Sequence, residues 1–367
     1  MKYNRLGKTD IRISELGLGG FHLLEIEQKT VNEIVKRYLD AGGNYFETAH
    51  AYGEGVSEKK LGEILPKKDV TVATKSGRRD EQGLKKELTQ SLKNLKRDSV
   101  DVLFLHGVTT DEDWEQLLSP EGGLKAIEWA KKEGLIRYVG ITSHGYGGTL
   151  LRALKEYDFD VFMTQMNYYD RFNFPEIETK VIPYAVTEKI GILAMKFLAD
   201  GYLYKNVEDA FRYVKTLPVD CIVAGINSIE QLEQDLSLLD IEPYDEEGLE
   251  DLFMDASELG NYVCRQCMKC LPCPEGINIP RFFLAEGRYD RQMLDGVINN
   301  AAEYALKARL SHWFENEDIA RIEYNSLTPG IDKCTECNVC SERCPYDIDV
   351  PRKLKIVKSK LETGYVK

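Results

Sequence analysis

The sequence predicts an α/β protein: a (β/α)8 TIM barrel over residues 1–245, followed by a small α-helical domain over 246–367. Three observations predict it. Short strands, apolar on both faces as buried parallel strands are, alternate with helical stretches up to about residue 240. The G-x-G-x-x-G turn that would open a doubly wound sheet is missing after the first core strand, where Leu16 to Gly20 (Leu-Gly-Leu-Gly-Gly) is only a weak echo of it. Beyond Ile241 strand signals vanish, and eight of the nine cysteines fall into two tight runs.

Taken in order, Tyr3–Leu6 and Ile11–Ile13 flank a turn-rich Gly7-Lys8-Thr9-Asp10 and read as a hairpin. Leu16–Gly20 is the first core strand. Helix Thr30–Ala41 has apolar residues at helical spacing and ends at Gly42-Gly43. Seven further strand–helix pairs follow. Strand Tyr45–Thr48 precedes helix Ser57–Leu65, with Ser57 as N-cap and Pro66 as stop. Strand Val70–Thr74 precedes Leu84–Leu95, Val100–Leu105 precedes Trp114–Lys132, and Tyr138–Thr142 precedes Gly148–Tyr157. Strand Val161–Met166 precedes Pro175–Lys189, Gly191–Met195 precedes Val207–Leu217, and Cys221–Ala224 precedes Ile229–Leu238. Eight such units in one run suit a closed barrel.

The totals narrow the function. The chain has 367 residues, 43% of them hydrophobic, enough for a large domain and a small one. With 48 Lys+Arg against 61 Asp+Glu the net charge is -13, which argues against nucleic-acid and anionic-membrane partners. The sequence contains no 18-residue apolar run, and Met1 to Arg5 leads into no apolar signal-peptide core. A cytoplasmic protein is expected, with its clustered cysteines as metal ligands rather than disulfides.

Four chemistry-bearing residues fall at strand ends. Glu47, Lys75 and His106 close strands two, three and four of the barrel, and Tyr52 lies on the loop after strand two. Active sites of such barrels form at that end. A phenol, with a pKa of about 10, is a poor acid near neutrality. A neighbouring ammonium lowers that value by favouring the phenolate. A carboxylate keeps the ammonium charged and placed, and an imidazole can hold a carbonyl oxygen near the phenol. Together they could protonate an oxygen as hydride reaches carbon. Singly, Lys75 reads as a solvated lysine, His106 as a satisfied strand-end histidine and Tyr52 as a packing residue. Their coincidence at matching strand ends favours the chemical reading.

These residues and their surroundings resemble the aldo/keto reductases over roughly residues 1 to 240. The likeness runs through Phe46-Glu47-Thr48-Ala49-His50-Ala51-Tyr52-Gly53, Ala73-Thr74-Lys75, Leu105-His106-Gly107, Val139 to Ser143, Gln165-Met166-Asn167, Gly191 to Lys196 and Gly225 to Gln231. The resemblance implies Tyr52 as general acid, Lys75 as its activator and His106 as substrate orienter. It also implies that Ser143 and Gln165 hold a nicotinamide amide. The loops around Lys196 to Leu203 and from Gly225 through Ser228 to Gln231 would carry the phosphates and adenosine of NAD(P). The barrel rule separately puts a phosphate site after strands seven and eight. The chain departs from the family pattern twice. Glu47 replaces the usual Asp, and one methylene displaces a carboxylate by roughly 1–1.5 Å, an error that can cost about 10²-fold. No Arg or Lys occurs in Gly225–Asp235, where NADP-preferring members carry a phosphate partner, so NADP and NAD both stay open.

The cysteine runs are Cys264-x2-Cys267-x2-Cys270-x2-Cys273-Pro and Cys334-x2-Cys337-x2-Cys340-x3-Cys344-Pro. The second has the spacing of a bacterial [4Fe–4S] run, and the first is one residue shorter. Zinc sites use pairs rather than runs of four. Two [4Fe–4S] clusters are therefore expected. By analogy with two-cluster ferredoxins, Cys264, Cys267 and Cys270 would share a cluster with Cys344, and Cys334, Cys337 and Cys340 with Cys273. The long helix-like linker Arg281–Glu323 resembles α-helical ferredoxin domains. Cys221, between apolar strand residues, reads as buried and inert.

A nicotinamide gives up two electrons together and a cluster takes one, and the sequence shows no flavin motif. Three readings follow: an oxidoreductase for a small carbonyl or alcohol substrate with clusters aside from the chemistry; an electron-transfer protein working with a flavin or ferredoxin-like partner; and a catalytically weak cofactor-binding redox sensor. Loop positions place Phe21, His22, Trp114, Tyr168 and Tyr169 around the substrate.

Overall fold

The structure is a computed structural model that describes residues 1–65, 69–294 and 317–362. Strands β1 (Tyr3–Arg5) and β2 (Arg12–Ser14) pair antiparallel, as the turn-rich tetrapeptide between them predicts. Eight parallel strands then close a barrel: β3 (Leu16–Gly19), β4 (Tyr45–Glu47), β5 (Thr71–Ser76), β6 (Val100–Leu105), β7 (Ile136–Thr142), β8 (Val161–Gln165), β9 (Gly191–Met195) and β10 (Cys221–Gly225). β10 pairs in parallel with both β9 and β3, which completes the ring.

The hairpin closes one end. Leu6, Ile11 and Ile13 pack with the interior residues Tyr45, Val102, Phe104, Met163, Leu193 and Val223. Gly7 donates its N–H to Asp220, next to the start of β10. Water is thereby kept from the N-terminal ends of the strands, and the open mouth lies at their C-terminal ends. Cys221 faces this interior, and burial pushes its thiol well above the ordinary range.

Several helix boundaries differ from expectation. Trp114–Lys132 is two helices, Asp111–Leu118 and Leu124–Lys132. Ser119 precedes Pro120 and is extended, as residues before proline tend to be, and two glycines follow before the next helix begins. Thr110 and Asp113 form a capping box that starts the first helix earlier than its apolar pattern suggests. Ser57 is no N-cap. Gly55, at φ 86°, occupies that position, and the Ser57 hydroxyl instead donates to the Gly20 carbonyl at 2.7 Å. Pro175–Lys189 contains a π-helical turn, Ile177–Val181, before helix Ile182–Glu188. The expected stop at Pro66 and the middle of the Arg281–Glu323 linker lie outside the described residues.

Helix Glu246–Asp255, capped by Asp245, packs Leu249, Leu252 and Phe253 onto the barrel's outer core. A second core unites helices Ile279–Asp290, Glu317–Ser326 and Val350–Glu362 through Phe282, Phe283, Tyr324, Leu354 and Val357, with the cysteines along its edge. This unit docks on the connection after β8, where Arg291 pairs with Asp170 and Arg288 with Glu176, and on the loop after β9, where Arg291 lies 3.4 Å from Asp200. Among the described residues no helix is long and apolar enough to cross a membrane.

Helix Ile229–Ser237 buries an acid against the barrel. Burial raises the Asp235 carboxyl from 3.8 to about 7. The folded chain then holds a proton that the unfolded chain releases, so stability falls as pH rises between those two values and levels off above. Asp235→Asn is expected to be more stable than the parent at pH 8 by on the order of 2 kcal/mol in urea melts, with the gap closing towards pH 4. A gap that ignores pH would contradict this account of the carboxyl.

Candidate active site and cysteine cavities

Glu47 ends β4, Lys75 lies near the end of β5, and His106 follows β6 directly. Tyr52 reaches them from a turn: its N–H bonds the Ala49 carbonyl, and His50 N–H bonds the Lys75 carbonyl, which pins the loop to β5. The Lys75 side chain is 1% exposed. Its ammonium donates to the Tyr52 hydroxyl at 2.9 Å and to the Thr48 carbonyl at 3.1 Å, and it pairs with the Glu47 carboxylate. The longer acid therefore still meets the lysine, and the Lys75–Tyr52 contact is intact beside it. The Tyr52 ring stands edge-on to His106 at 5.9 Å and to Phe21 at 5.1 Å.

The expected acidification of Tyr52 by Lys75 is corrected in the resting site. Burial pushes the Tyr52 hydroxyl well above the ordinary phenol range and holds the Lys75 ammonium well below its own. Both charged forms are costly where little water reaches. His106 is held well below the ordinary imidazole value, by burial first and by the Lys75 charge second. The resting site thus keeps a protonated phenol beside a neutral imidazole. Such a pair can donate to a carbonyl oxygen, and the lysine can stabilise negative charge as it develops on the phenol oxygen.

A cavity of about 460 Å³ opens above Tyr52, His106 and Glu47. Phe21, His22, Lys196, Gly225 and Gln231 line it. Ser143 and Gln165 sit at the ends of β7 and β8 but not on the cavity wall. Among the described residues the buried Ser143 hydroxyl has no hydrogen-bond partner, while the Gln165 amide donates to the Gly145 carbonyl at 3.2 Å. Ser228 caps helix Ile229–Ser237 by accepting from Gln231 N–H. Trp114, Tyr168 and Tyr169 are not on the wall, contrary to expectation. Trp114 is buried with its indole on Glu156, and the two tyrosines bond Glu258 and the Arg291 carbonyl beneath the C-terminal unit.

Sequence reasoning missed His144, Glu25, Asp200 and Tyr204, which also line the cavity. His144 had a signal, since it directly follows Ser143 at a strand end. Asp200 had another, standing one helical turn after Lys196, with which it pairs. Glu25 had a weaker one, one turn after His22, whose ring nitrogen it meets at 3.1 Å, while its other partner, Asn227, lies 202 residues away and donates at 2.7 Å.

Cys264, Cys267, Cys270 and Cys344 line one cavity in the C-terminal unit, with Arg265 and Tyr346 beside them. Cys340 neighbours Cys273 and Cys334. Among the described residues no three metal-binding side chains close on a single-ion position, and these thiols surround a shared space instead. The first three cysteines of one run thus face the last cysteine of the other.

Known proteins match both parts. A model of the Aldo/keto reductase family matches residues 15–217, more than half of the chain. The chain belongs to the aldo/keto reductase family. A 4Fe-4S dicluster domain matches residues 263–349. An uncharacterized oxidoreductase of Bacillus subtilis, YqkF, is 29% identical over 223 residues, covering 57% of this chain and 69% of the relative. A D-threo-aldose 1-dehydrogenase of Pseudomonas is 29% identical over 207 residues, covering 47% and 61%. Among solved structures, a putative aldo-keto reductase from Pseudomonas aeruginosa superposes with a TM-score of 0.56 at 26% identity, covering 64% of this chain and 93% of that one. A Bacillus halodurans aldo-keto reductase, at 0.59 and 23% identity over 68% and 94%, shares the fold. The molecule is an oxidoreductase of this family that carries a 4Fe-4S dicluster domain.

The facing of the cysteine runs has a measurable consequence. Cys264→Ser and Cys344→Ser, singly or together, are expected to leave about four iron atoms per chain where the parent holds about eight. Cys344→Ser combined with Cys334→Ser is expected to lose nearly all. Iron and labile-sulfide assays after anaerobic purification check this, and a further loss in the Cys264/Cys344 double variant would contradict the crossed pairing.

Proposed function

We propose that the chain transfers a hydride between NAD(P)H and a small carbonyl or alcohol compound at the barrel mouth, and that a unit over 246–367 holds two [4Fe–4S] clusters. The observation that carries this reading is the Lys75 ammonium 2.9 Å from the Tyr52 hydroxyl, with Glu47 on its other side. In the reducing direction Tyr52 gives its proton to the carbonyl oxygen as the C=O double bond opens. Lys75 stabilises the phenolate left behind, and Glu47 holds Lys75 in place. His106, neutral, orients the same oxygen by hydrogen bonding. The alcohol direction reverses each step.

Residues fit for the dinucleotide are present. Ser143, whose buried hydroxyl has no partner among the described residues, would hold the carboxamide with Gln165. Lys196, Gly225, Ser228 and Gln231 would hold the phosphates and adenosine. A bound nicotinamide supplies the hydride. The cysteine cavity supports Cys264, Cys267, Cys270 and Cys344 as one ligand set, and Cys273, Cys334, Cys337 and Cys340 as the other. The Pseudomonas relative's name puts aldoses among the compounds to test.

One observation favours a second reading, electron exchange with a flavin or ferredoxin-like partner: Cys267 and Cys337 are exposed. Full carbonyl-reducing activity in a cluster-free preparation would remove it. The Glu47–Lys75 contact argues against a catalytically weak sensor.

Tyr52→Phe is expected to slow carbonyl reduction by about 10²–10⁴-fold across an aldehyde and ketone panel. Dinucleotide binding, followed by fluorescence titration, is expected to survive. An unchanged rate would overturn the assignment of the proton donor.

A further inference from the structure

The loop after β9 is strained. Lys196, Ala199 and Asp200 adopt φ values of 57°, 48° and 57°, a left-handed region that non-glycine residues seldom occupy. Something must hold it, and the holding groups come partly from outside the barrel. Asp200 pairs with Lys196 through one carboxylate oxygen, and its other oxygen lies 3.4 Å from the Arg291 guanidinium. Arg291 Nε donates to Asp170 at 2.6 Å, and a second guanidinium nitrogen meets the other Asp170 oxygen. Asn167 donates to both Asp170 (2.8 Å) and the Lys196 carbonyl (3.0 Å), which ties the loops after β8 and β9 together.

Arg291 follows helix Ile279–Asp290 of the C-terminal unit, and its neighbour Gln292 turns back towards a cluster cysteine. The Gln292 carbonyl oxygen accepts the Cys264 backbone N–H at 2.8 Å and the Lys353 ammonium at 2.9 Å, while its amide nitrogen donates to Asn173 at 3.0 Å. A chain of contacts therefore runs from the backbone of Cys264 through Gln292 and Arg291 to Asp200 and Lys196 at the cavity wall.

We infer that Arg291 is a positioning residue for the dinucleotide site, through which the cysteine-bearing unit holds Lys196 ready for an anionic ligand. The inference rests on the proposed reading of Lys196 as a phosphate partner. The physics is charge sharing. Arg291 shares the Asp200 charge and pairs through two nitrogens with Asp170, so the Lys196 ammonium keeps attraction to spare. Without Arg291, Asp200 turns wholly onto Lys196, and Asp170, 3% exposed, loses its guanidinium partner and keeps the Asn167 hydrogen bond.

Titration of the full-length, cluster-loaded protein with NADH and with NADPH tests it. Arg291→Met is expected to raise Kd by about tenfold or more, with Arg291→Lys recovering part of the loss. The KM for dinucleotide is expected to rise while kcat at saturation stays within about twofold, a split that general loosening of the fold would not produce. Asp200→Asn cuts the link to Lys196 but spares the Arg291–Asp170 pair, so it serves even if Arg291→Met folds poorly. By removing the carboxylate charge that competes for Lys196, it is expected to tighten binding severalfold and to blunt any further effect of Arg291→Met. Lys196→Met separates the two levels. If it abolishes binding while Arg291→Met and Asp200→Asn leave Kd unchanged, the positioning role is overturned. If Lys196→Met itself leaves Kd unchanged, the phosphate reading of Lys196 fails instead.

Discussion

A lysine ammonium buried near the centre of a barrel is the constraint around which this molecule is arranged. Left alone there, Lys75 would lose its proton, because little water remains to solvate the charge. Glu47, the Thr48 carbonyl and the Tyr52 hydroxyl each meet it. Those groups come from β4 and the turn that follows, which is why the register of β4 on β5 matters: Glu47 lies opposite Ala73, two residues before Lys75. The hairpin at the far end seals the barrel floor with Leu6, Ile11 and Ile13. The same burial that pulls the Lys75 ammonium down keeps Tyr52 protonated, and together with the Lys75 charge it keeps His106 neutral.

The barrel was legible because its signals are local. Buried parallel strands announce themselves as short apolar runs, and glycine, proline and capping residues punctuate the helices between them. Glu47, Tyr52, Lys75 and His106 were legible for a related reason, as polar groups placed where apolar strands stop. What depends on distant partners was not. Nothing near Trp114, Tyr168 or Tyr169 in the chain says that Glu156, Glu258 and Arg291 will claim their polar atoms. The sign of the Tyr52 shift was missed because spacing reveals a neighbouring charge but not how deeply both groups are buried.

The cysteine runs show the same division. Their spacing marks them as cluster ligands, but the facing of Cys344 onto Cys264, Cys267 and Cys270 is a property of how helices Ile279–Asp290 and Val350–Glu362 pack. That packing also carries Arg288 and Arg291 onto the loops after β8 and β9, where they meet Glu176, Asp170 and Asp200. The iron–sulfur unit is thus seated on the side of the barrel mouth opposite the Tyr52 turn in strand order, and it shapes the cavity wall that the barrel alone would leave to a strained loop.

The most direct test of the central claim is a double-mutant cycle on single-turnover carbonyl reduction with parent, Glu47→Gln, Lys75→Met and the double variant. If Glu47 acts by holding the Lys75 charge against Tyr52, each single change slows the step by about 10²-fold or more and the double variant is little slower than Lys75→Met alone. Losses that simply multiply, or a Glu47→Gln variant at full rate, would contradict the account.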